Sequence, residues 1–427
     1  MELTSESAVL SGTVRIPASK SHTIRGLLIA TLADGVSTLR NPLASGDTDS
    51  CVHACRAFGA QVDCAEDAWR VTGVGACPDP PADVIDVGNS GTTLYLALGV
   101  AALSHGWSVF TGDYQICRRS AQPLMDALEE LGATAFSTRG TGCAPLVIRG
   151  PLKGGSTTIE CPTSQYLSAL LLSCPLAQGD SEIFVPLLNE QPYAAMTLDW
   201  LAQQKIKVTN YDFEHFQLHG RQRYTAFDRD IPGDFSSATF FLVAAAITGS
   251  EITLNGLDMH DSQGDKAVVD MLGEMGVKIE TGPDYVRVCG GELHGAELDL
   301  NATPDALPAL AVAGCFAKGE TRLVNVPQAR MKETDRITVM QRELSALGAD
   351  CEELPSGLVV RESTLSGGKV HGYDDHRVVM AMAVAGLRAL GPVMVDSAEA
   401  MRITFPSFVD LMTALGARMA LSGRGET

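Results

Sequence analysis

Residues 27–41, LLIATLADGVSTLRN, contain an apolar helical stretch, a glycine at position 35 and an alternating run typical of a strand. The same arrangement occurs six times along the chain. The glycines of the six copies are Gly35, Gly106, Gly179, Gly249, Gly319 and Gly391. They lie roughly 70 residues apart throughout, which indicates internal repetition.

A second series of segments, each with a helix end, a glycine and a strand, alternates along the chain with the first series. Its glycines are Gly59, Gly132, Gly276, Gly348 and Gly416. The third copy has LAQQKIKV (201–208) in this place and lacks the glycine. Glycine suits a helix end because it accepts the left-handed conformation. Each copy therefore predicts the order strand, helix, strand, helix, strand, strand.

Six βαβαββ units divide naturally into two sets of three. A chain of 427 residues, 45% of them apolar, is also too long for one ordinary domain. The segments RIPAS (15–19) and DIPGD (230–234) match, and their proline and small residues suit exposed strands passing between domains. We predict an α/β protein with one discontinuous domain, residues 1–17 and 232–427, and a second domain, residues 18–231.

Composition narrows the function classes. Asp and Glu outnumber Lys and Arg by 51 to 32, and the net charge of −19 disfavours a nucleic-acid partner. No apolar run is long enough to span a bilayer, and the first residues do not form a signal peptide. We therefore expect a cytoplasmic protein without a membrane partner. We also expect a monomer, although composition does not bear on this.

The eleven cysteines form no Cys-x-x-Cys pair and no Cys/His cluster at zinc spacing. Cys51 and Cys55 lie one helical turn apart and could be half of a metal site. Because cysteine is often a small core residue, we interpret them as buried thiols. The sequence predicts no metal site.

Polar residues stand at the start of each apolar first helix, in segments 19–25, 88–93, 162–165, 234–237, 303–305 and 374–377. Helix capping is the simplest interpretation, because Ser, Thr, Asn and Asp side chains accept the first free backbone N–H groups. Capping would explain Ser236, Ser237 and Asp305.

Capping does not explain the cations at the same helix starts, which are Lys20, Arg25, His376 and Arg377. A cation there opposes the positive end of the helix dipole, so a negative group should offset it. Free N–H groups beside a Lys or Arg form a ready anion site. Several such sites around one cleft would bind a multiply charged anion.

Further charged residues fit this interpretation. Arg119 is predicted in a loop, and Lys332 and Arg336, four residues apart, are predicted to share a helix face with Glu333 between them. A solvated, salt-bridged turn is the alternative. Glu333 and Asp305 are carboxylates among cations, which suggests acid–base chemistry on anions.

These motifs resemble those of the EPSP synthase (3-phosphoshikimate 1-carboxyvinyltransferase) family, of the enolpyruvyl transferases, along nearly the whole chain. The matching motifs are PASKS (17–21) with Arg25, GNSGT (88–92), TSQ (163–165), GDFSS (233–237), KETDR (332–336) and DHR (375–377). The resemblance implies two domains of three βαβαββ units, with the active site in the cleft between them. It also implies domain closure on the first substrate, no cofactor and no required metal.

The activity implied is transfer of the enolpyruvyl group of phosphoenolpyruvate to the 5-hydroxyl of shikimate 3-phosphate, with release of phosphate, in chorismate and aromatic amino acid biosynthesis. By resemblance, shikimate 3-phosphate would be bound by Lys20, Ser21, Arg25, Thr163, Ser164, Gln165, Tyr193, Asp305 and Lys332. Phosphoenolpyruvate would be bound by Lys20, Gly91, Arg119, Gln165, Arg336 and Arg377. The catalytic residues would be Asp305, Glu333, Lys20 and His376.

The resemblance implies addition followed by elimination. Asp305 or a neighbour would help remove the hydroxyl proton, and Glu333 would protonate the methylene carbon and later take a proton back. Lys20 and Arg119 would stabilise the departing phosphate.

Four positions depart from the family pattern. Ser120 stands where the family has Pro, Tyr95 where it has Arg, Glu190 where it has Ser, and Ile403 where it has Lys, although Arg402 is adjacent. A carboxylate about 4 Å from a phosphate costs several kcal/mol in a partly buried site. Glu190 therefore turns away, pairs with a cation, or marks an acceptor without that phosphate.

Three alternatives stand beside this interpretation. The first is an enolpyruvyl transferase for an unphosphorylated shikimate-like acceptor. The second is the related enzyme acting on UDP-N-acetylglucosamine, although Cys117 lies closer to Arg119 than that enzyme's loop cysteine would. The third is a non-catalytic binding protein on the same scaffold, which would have no reason to keep both Asp305 and Glu333.

Overall fold

The computed structural model describes residues 1–423. The chain forms two compact units. The first unit comprises Met1–Pro17 and Pro232–Thr427, and the second comprises Ala18–Ile231. Each unit has its own apolar core. Among the described residues, no helix is long and apolar enough to cross a membrane.

The second unit contains three four-stranded sheets of the same design. In spatial order, the strands are β16 (Asp228–Asp230), β4 (Val36–Arg40), β6 (Ala68–Thr72) and β5 (Gln61–Cys64); β7 (Ile85–Asp86), β8 (Ser108–Thr111), β10 (Leu146–Arg149) and β9 (Thr134–Ser137); and β11 (Gly155–Cys161), β12 (Ser181–Leu188), β14 (His215–Leu218) and β13 (Val208–Tyr211). A short parallel pair joins β3 (Ala33–Asp34) to β15 (Tyr224–Thr225).

The first unit repeats this design in three more sheets. Their strands are β2 (Ser11–Arg15), β17 (Glu251–Asn255), β19 (Tyr285–Gly291) and β18 (Val277–Thr281); β20 (Glu297–Asp299), β21 (Glu320–Val324), β23 (Gly357–Arg361) and β22 (Asp350–Leu354); and β24 (Gly368–Val370), β25 (Val393–Val395), β1 (Glu2–Glu6) and β26 (Arg418–Ser422). Both N-terminal strands, β1 and β2, therefore pair with strands of the C-terminal half.

Twelve α-helices in the described part of the chain belong to two classes. The first helix of each repeat is buried along nearly its whole length: α1 (Lys20–Thr31), α3 (Gly91–Ala101), α5 (Ser164–Ser173), α7 (Phe235–Thr248), α9 (Leu307–Cys315) and α11 (His376–Gly386). The second helices bury one face: α2 (Gly46–Ala57), α4 (Gln122–Glu130), α6 (Gln191–Gln203), α8 (Ala267–Glu274), α10 (Arg336–Ala346) and α12 (Phe408–Ala414).

The second glycine series ends the second helices as predicted. All five glycines have left-handed φ values between 95° and 100°: Gly59, Gly132, Gly276, Gly348 and Gly416. In the third repeat, Lys205 takes the same role with a φ of 59°. A non-glycine residue accepts this conformation at a cost of about 1–2 kcal/mol, so the repeat geometry prevails where the glycine is missing.

The repeat also determines which segments meet. In each sheet the first two strands are parallel, for example β7 with β8, β11 with β12, and β20 with β21. Parallel neighbours end at the same edge of a sheet. The start of a buried first helix therefore lies beside the segment that leads into the second helix.

Candidate active site

Asp305 lies in a single 3-10 turn, Pro304–Ala306, immediately before α9. Its carboxylate accepts from Nη1 of Arg336 at 2.8 Å and contacts Nη2 of Arg377 at 3.0 Å, with Nζ of Lys332 at 3.9 Å. No side-chain hydrogen bond caps α9. The capping interpretation of Asp305 was therefore wrong, and its carboxylate is held by cations instead.

Arg336 is the first residue of α10, and its side chain is 1% exposed. Nε and Nη2 donate to the two oxygens of Asp375 at 2.8 and 3.1 Å, and Nη2 also donates to Glu333 at 2.5 Å. With Asp305, three carboxylates surround this guanidinium. A buried cation of this kind depends on its partners, because an unpaired charge is costly to bury.

Lys332 and Glu333 precede α10, whose N-cap is Asp335. The prediction that Lys332 and Arg336 share a helix face was wrong, because the helix begins only at Arg336. The two cations meet at Asp305 through the loop that leads into the helix.

The charged side chains around Asp305 and Arg336 shift the pKa values of both residues. Burial alone raises the pKa of Asp305, but Arg377, Lys332 and Arg336 outweigh burial and hold it well below its usual range. Burial alone lowers the pKa of Arg336, and Asp375, Glu333 and Asp305 reverse this and raise it. These interactions favour the charged forms of Asp305 and Arg336.

Asp375 links this group to the start of α11. It caps the helix by accepting the backbone N–H of Arg377 at 2.9 Å, and it also accepts from Oγ1 of Thr334 at 3.1 Å. His376 is the first residue of α11 and is buried. In α7 the cap is Asp234, which accepts from the Ser236 N–H and the Ser237 hydroxyl. The two serines are therefore donors to the cap rather than caps.

In the second unit, Lys20 begins α1 and forms an ion pair of 2.9 Å with Asp47 at the start of α2. Sequence reasoning missed Asp47. The only signal for it was its place in the first turn of a helix that follows the capping residue Ser45. The pair places an anion beside a lysine that the resemblance assigns to the substrates.

Arg25 is buried, and among residues 1–423 its guanidinium donates to four neutral oxygens. These are Oγ1 of Thr197 (2.8 Å), Oγ of Ser168 (3.2 Å), and the carbonyls of Ser21 (3.1 Å) and Tyr193 (3.0 Å). Burial lowers the pKa of Arg25 to about 10. Thr197 and Ser168 were not predicted, since no motif marks them. In the described part of the chain, this cation is therefore held in place without a carboxylate as hydrogen-bond partner.

Gly91 and Arg119 follow the parallel strands β7 and β8 and meet at their common edge. A Cβ added to Gly91 would lie 2.7 Å from Nη1 of Arg119. Tyr95, one turn along α3, donates its hydroxyl to the carbonyl of Ser120 at 3.2 Å. Burial raises the pKa of Tyr95 to about 12, with Arg119 acting to lower it and Glu190 to raise it.

Thr163, Ser164 and Glu190 meet in the same way at the ends of β11 and β12. Oε2 of Glu190 accepts from Oγ1 of Thr163 (3.1 Å), the backbone N–H of Ser164 (3.3 Å) and Oγ of Ser164 (3.2 Å). The N–H of Gln165 points to Oγ1 of Thr163 at 3.5 Å. Glu190 therefore does not turn away from the position that the resemblance assigns to the substrate phosphate.

Arg402, the residue adjacent to Ile403, is exposed in the short 3-10 helix Ala398–Ile403. Neither Arg402 nor Ile403 lies on a strand. Among residues 1–423, no group of three His, Cys, Asp or Glu side chains is arranged to hold a metal ion. Cys51 and Cys55 are both buried.

Comparison with known proteins gives one consistent result. The family model for EPSP synthase (3-phosphoshikimate 1-carboxyvinyltransferase) matches residues 4–412. The chain is 54% identical over 412 residues to a 3-phosphoshikimate 1-carboxyvinyltransferase of Ruminiclostridium cellulolyticum, covering 96% of this chain and 98% of that one. It is 56% identical over 407 residues to the protein of the same name from Acetivibrio thermocellus, covering 95% and 96%.

A solved structure gives the same answer for the fold. EPSP synthase from Acinetobacter baumannii aligns with a TM-score of 0.83 at 25% identity, covering 99% of this chain and 100% of that one. The sequence-based prediction of an α/β enolpyruvyl transferase fold is confirmed.

Proposed function

The chain belongs to the EPSP synthase family, and we propose that it transfers the enolpyruvyl group of phosphoenolpyruvate to the 5-hydroxyl of shikimate 3-phosphate. The observation that carries this proposal is the meeting of Arg336, Arg377 and Lys332 at the single carboxylate of Asp305. An acid surrounded by three cations suits a reaction between anions. This places the protein in chorismate and aromatic amino acid biosynthesis.

The carboxylate of phosphoenolpyruvate is bound by Arg336 and Arg377, whose planar guanidinium groups match a carboxylate. Both guanidinium groups already contact an acid at Asp305. A substrate carboxylate that takes over these contacts removes cations from Asp305. Asp305 then becomes a stronger base when phosphoenolpyruvate is bound.

The reaction is an addition followed by an elimination. The 5-hydroxyl oxygen forms a bond to C2 of phosphoenolpyruvate, its proton leaves with the help of Asp305, and Glu333 protonates C3. Glu333 then takes a proton back from C3 as the bond from C2 to the phosphate oxygen breaks. Glu333 lies within 2.5 Å of Arg336, which supports a carboxylate positioned next to the bound substrate.

The second unit supplies the remaining contacts. Lys20 and Arg119 bind and stabilise the phosphate of phosphoenolpyruvate beside Gly91. The acceptor is bound by residues of the second unit and by Lys332 and Asp305; those of the second unit are Lys20, Ser21, Arg25, Thr163, Ser164, Gln165 and Tyr193. The buried, preorganised guanidinium of Arg25 supports a role in anion recognition. His376 is assigned a catalytic role beside Arg377.

Phosphate release from phosphoenolpyruvate tests the proposal. We expect the purified protein to release phosphate with shikimate 3-phosphate, and not without an acceptor or with shikimate alone. Preference for shikimate would favour the unphosphorylated-acceptor alternative. Absence of release with either acceptor, together with binding of both substrates, would favour a non-catalytic binding protein.

Three further expectations remain predictions: activity without an added cofactor or metal, a monomeric state and a cytoplasmic location. Activity in the presence of a chelator tests the first. Light scattering at assay concentrations tests the second.

A further inference from the structure

The carboxylate of Glu190 is enclosed at the start of α5. The residue is 1% exposed, and one of its oxygens accepts three hydrogen bonds, from Thr163, from the backbone of Ser164 and from the side chain of Ser164. Backbone N–H groups at a helix start, with flanking hydroxyls, favour an anion. Glu190 is the anion that these donors bind in this structure.

The backbone gives this arrangement a defined geometry. Strands β11 and β12 run parallel with Cys161 opposite Leu188, so both chains leave the sheet at the same edge. Glu190 then adopts a left-handed conformation, with φ of 57° and ψ of 36°, and is the N-cap residue of α6. A non-glycine residue in this conformation is uncommon, and Glu190 adopts it in the short turn between β12 and α6.

Two cations, Arg25 and Arg119, are linked to the same region through neighbouring residues. Arg25 donates to Ser168, on α5, and to the carbonyl of Tyr193, whose own N–H donates to the carbonyl of Glu190 at 3.0 Å. The charge of Arg119 lowers the pKa of the Tyr95 hydroxyl, and the charge of Glu190 raises it. The region therefore has the donors and cations of a phosphate site, together with a carboxylate that competes for them.

We propose that Glu190 is an internal competitor for the phosphate group of the acceptor and thereby a specificity-determining residue. This inference rests on the proposed function. Without the acceptor, the carboxylate satisfies Thr163 and Ser164. The acceptor phosphate must displace the carboxylate by rotation of the glutamate side chain, so that only a ligand with further contacts to the enzyme binds well. Inorganic phosphate, which lacks such contacts, is excluded.

The experiment compares wild type with E190S and E190Q. Serine removes both the charge and the bulk, whereas glutamine keeps the size and removes only the charge. Steady-state KM values are measured for shikimate 3-phosphate and phosphoenolpyruvate, and inorganic phosphate is tested as a competitor of shikimate 3-phosphate. E130Q is the matched control, because Glu130 also accepts from a threonine hydroxyl, that of Thr157 at 2.6 Å, in the same unit.

We expect KM for shikimate 3-phosphate to fall about tenfold or more in E190S, since a like charge at contact distance is removed. Inhibition by inorganic phosphate should strengthen in parallel, while KM for phosphoenolpyruvate and all constants of E130Q stay near wild type. In E190Q, KM for shikimate 3-phosphate and inhibition by inorganic phosphate should change in the same direction as in E190S. E190Q therefore still tests the inference if E190S does not fold.

An unchanged or raised KM for shikimate 3-phosphate in the folded variants would overturn the inference while leaving an active wild-type enzyme. The proposed function fails in a different way. Wild-type enzyme would then release no phosphate with shikimate 3-phosphate, or would prefer shikimate.

Discussion

The carboxylate of Glu333 and the guanidinium of Arg336 are joined by a hydrogen bond of 2.5 Å from Nη2 to Oε2. The proposed proton donor and the proposed ligand of the substrate carboxylate are therefore in direct contact. Under the proposed mechanism, a substrate carboxylate bound by Arg336 would change the electrostatic environment of Glu333. This contact would then link substrate binding to proton transfer within the first unit.

Replacement of Glu333 by glutamine keeps the shape of the side chain and removes the proton exchange. We expect kcat to fall by about 10²–10⁴-fold, the usual contribution of general acid–base catalysis, with little change in the KM values. Initial rates of phosphate release measure this effect. The control is E353Q, since Glu353 also pairs with an arginine, Arg330, at 2.8 Å. Wild-type turnover in E333Q would refute the assignment.

Replacement of Arg336 by lysine should destabilise the protein strongly. Lysine keeps the positive charge but cannot reproduce the planar fork that contacts Asp305, Glu333 and Asp375. Each lost hydrogen bond to a charged group costs about 1.5–3 kcal/mol. The free energy of unfolding in urea measures the loss.

Arg361 is the matched control for this replacement, because it also contacts three carboxylates, Glu320, Asp350 and Glu352, but is partly exposed. R361K should lower the free energy of unfolding far less than R336K, because ion pairs at the surface contribute little to stability. Equal losses in R336K and R361K would contradict the account of the buried cluster.

The pKa of Asp305, held well below its usual range, predicts a pH-dependent contribution to stability. A carboxylate with a lowered folded-state pKa stabilises the protein fully above its unfolded pKa of about 3.9. This contribution declines as the pH falls from that value towards the folded-state pKa. We expect D305N to be less stable than wild type at pH 6, and the difference to narrow at pH 3.

Urea unfolding of the two proteins at both pH values provides the measurement. A stability difference that stays constant or widens toward pH 3 would contradict the ion-paired state of Asp305.

Replacement of Gly91 by alanine should weaken binding of phosphoenolpyruvate. The new Cβ would lie 2.7 Å from Nη1 of Arg119, so the guanidinium must move. We expect KM for phosphoenolpyruvate to rise about tenfold, a loss of roughly 1.4 kcal/mol, with KM for shikimate 3-phosphate nearly unchanged.

G273A is the control for G91A, because a Cβ at Gly273 meets no atom within 4 Å. If G91A raised KM for shikimate 3-phosphate and left KM for phosphoenolpyruvate unchanged, the assignment of Arg119 to phosphoenolpyruvate would be contradicted.

The repeat could be predicted from the sequence because backbone conformation restricts residue choice. Gly59 and Gly132 end helices in a conformation that other residues avoid, so they mark each copy. Lys205 shows the limit of this argument, since tertiary context imposes the same conformation on a lysine. Only the structure reveals such a position.

The site was only partly predictable. Motifs identified Asp305 and Arg336, but not the starting point of α10 at Arg336, because Lys332 and Glu333 have the helical spacing without the helix. The contact between Ser164 and Glu190 depends on the parallel pairing of β11 with β12, which spacing along the chain does not encode.

Solvent deuterium incorporation tests the central claim, addition and elimination with Glu333 as the acid and base, most directly. The reaction is run in D₂O with phosphoenolpyruvate and shikimate 3-phosphate, and the methylene carbon of the product is observed by NMR. We predict that the wild-type enzyme places deuterium on that carbon. In E333Q, the rate of deuterium incorporation should fall by the same factor as turnover. A product without deuterium, or incorporation at the wild-type rate in E333Q, would contradict the account.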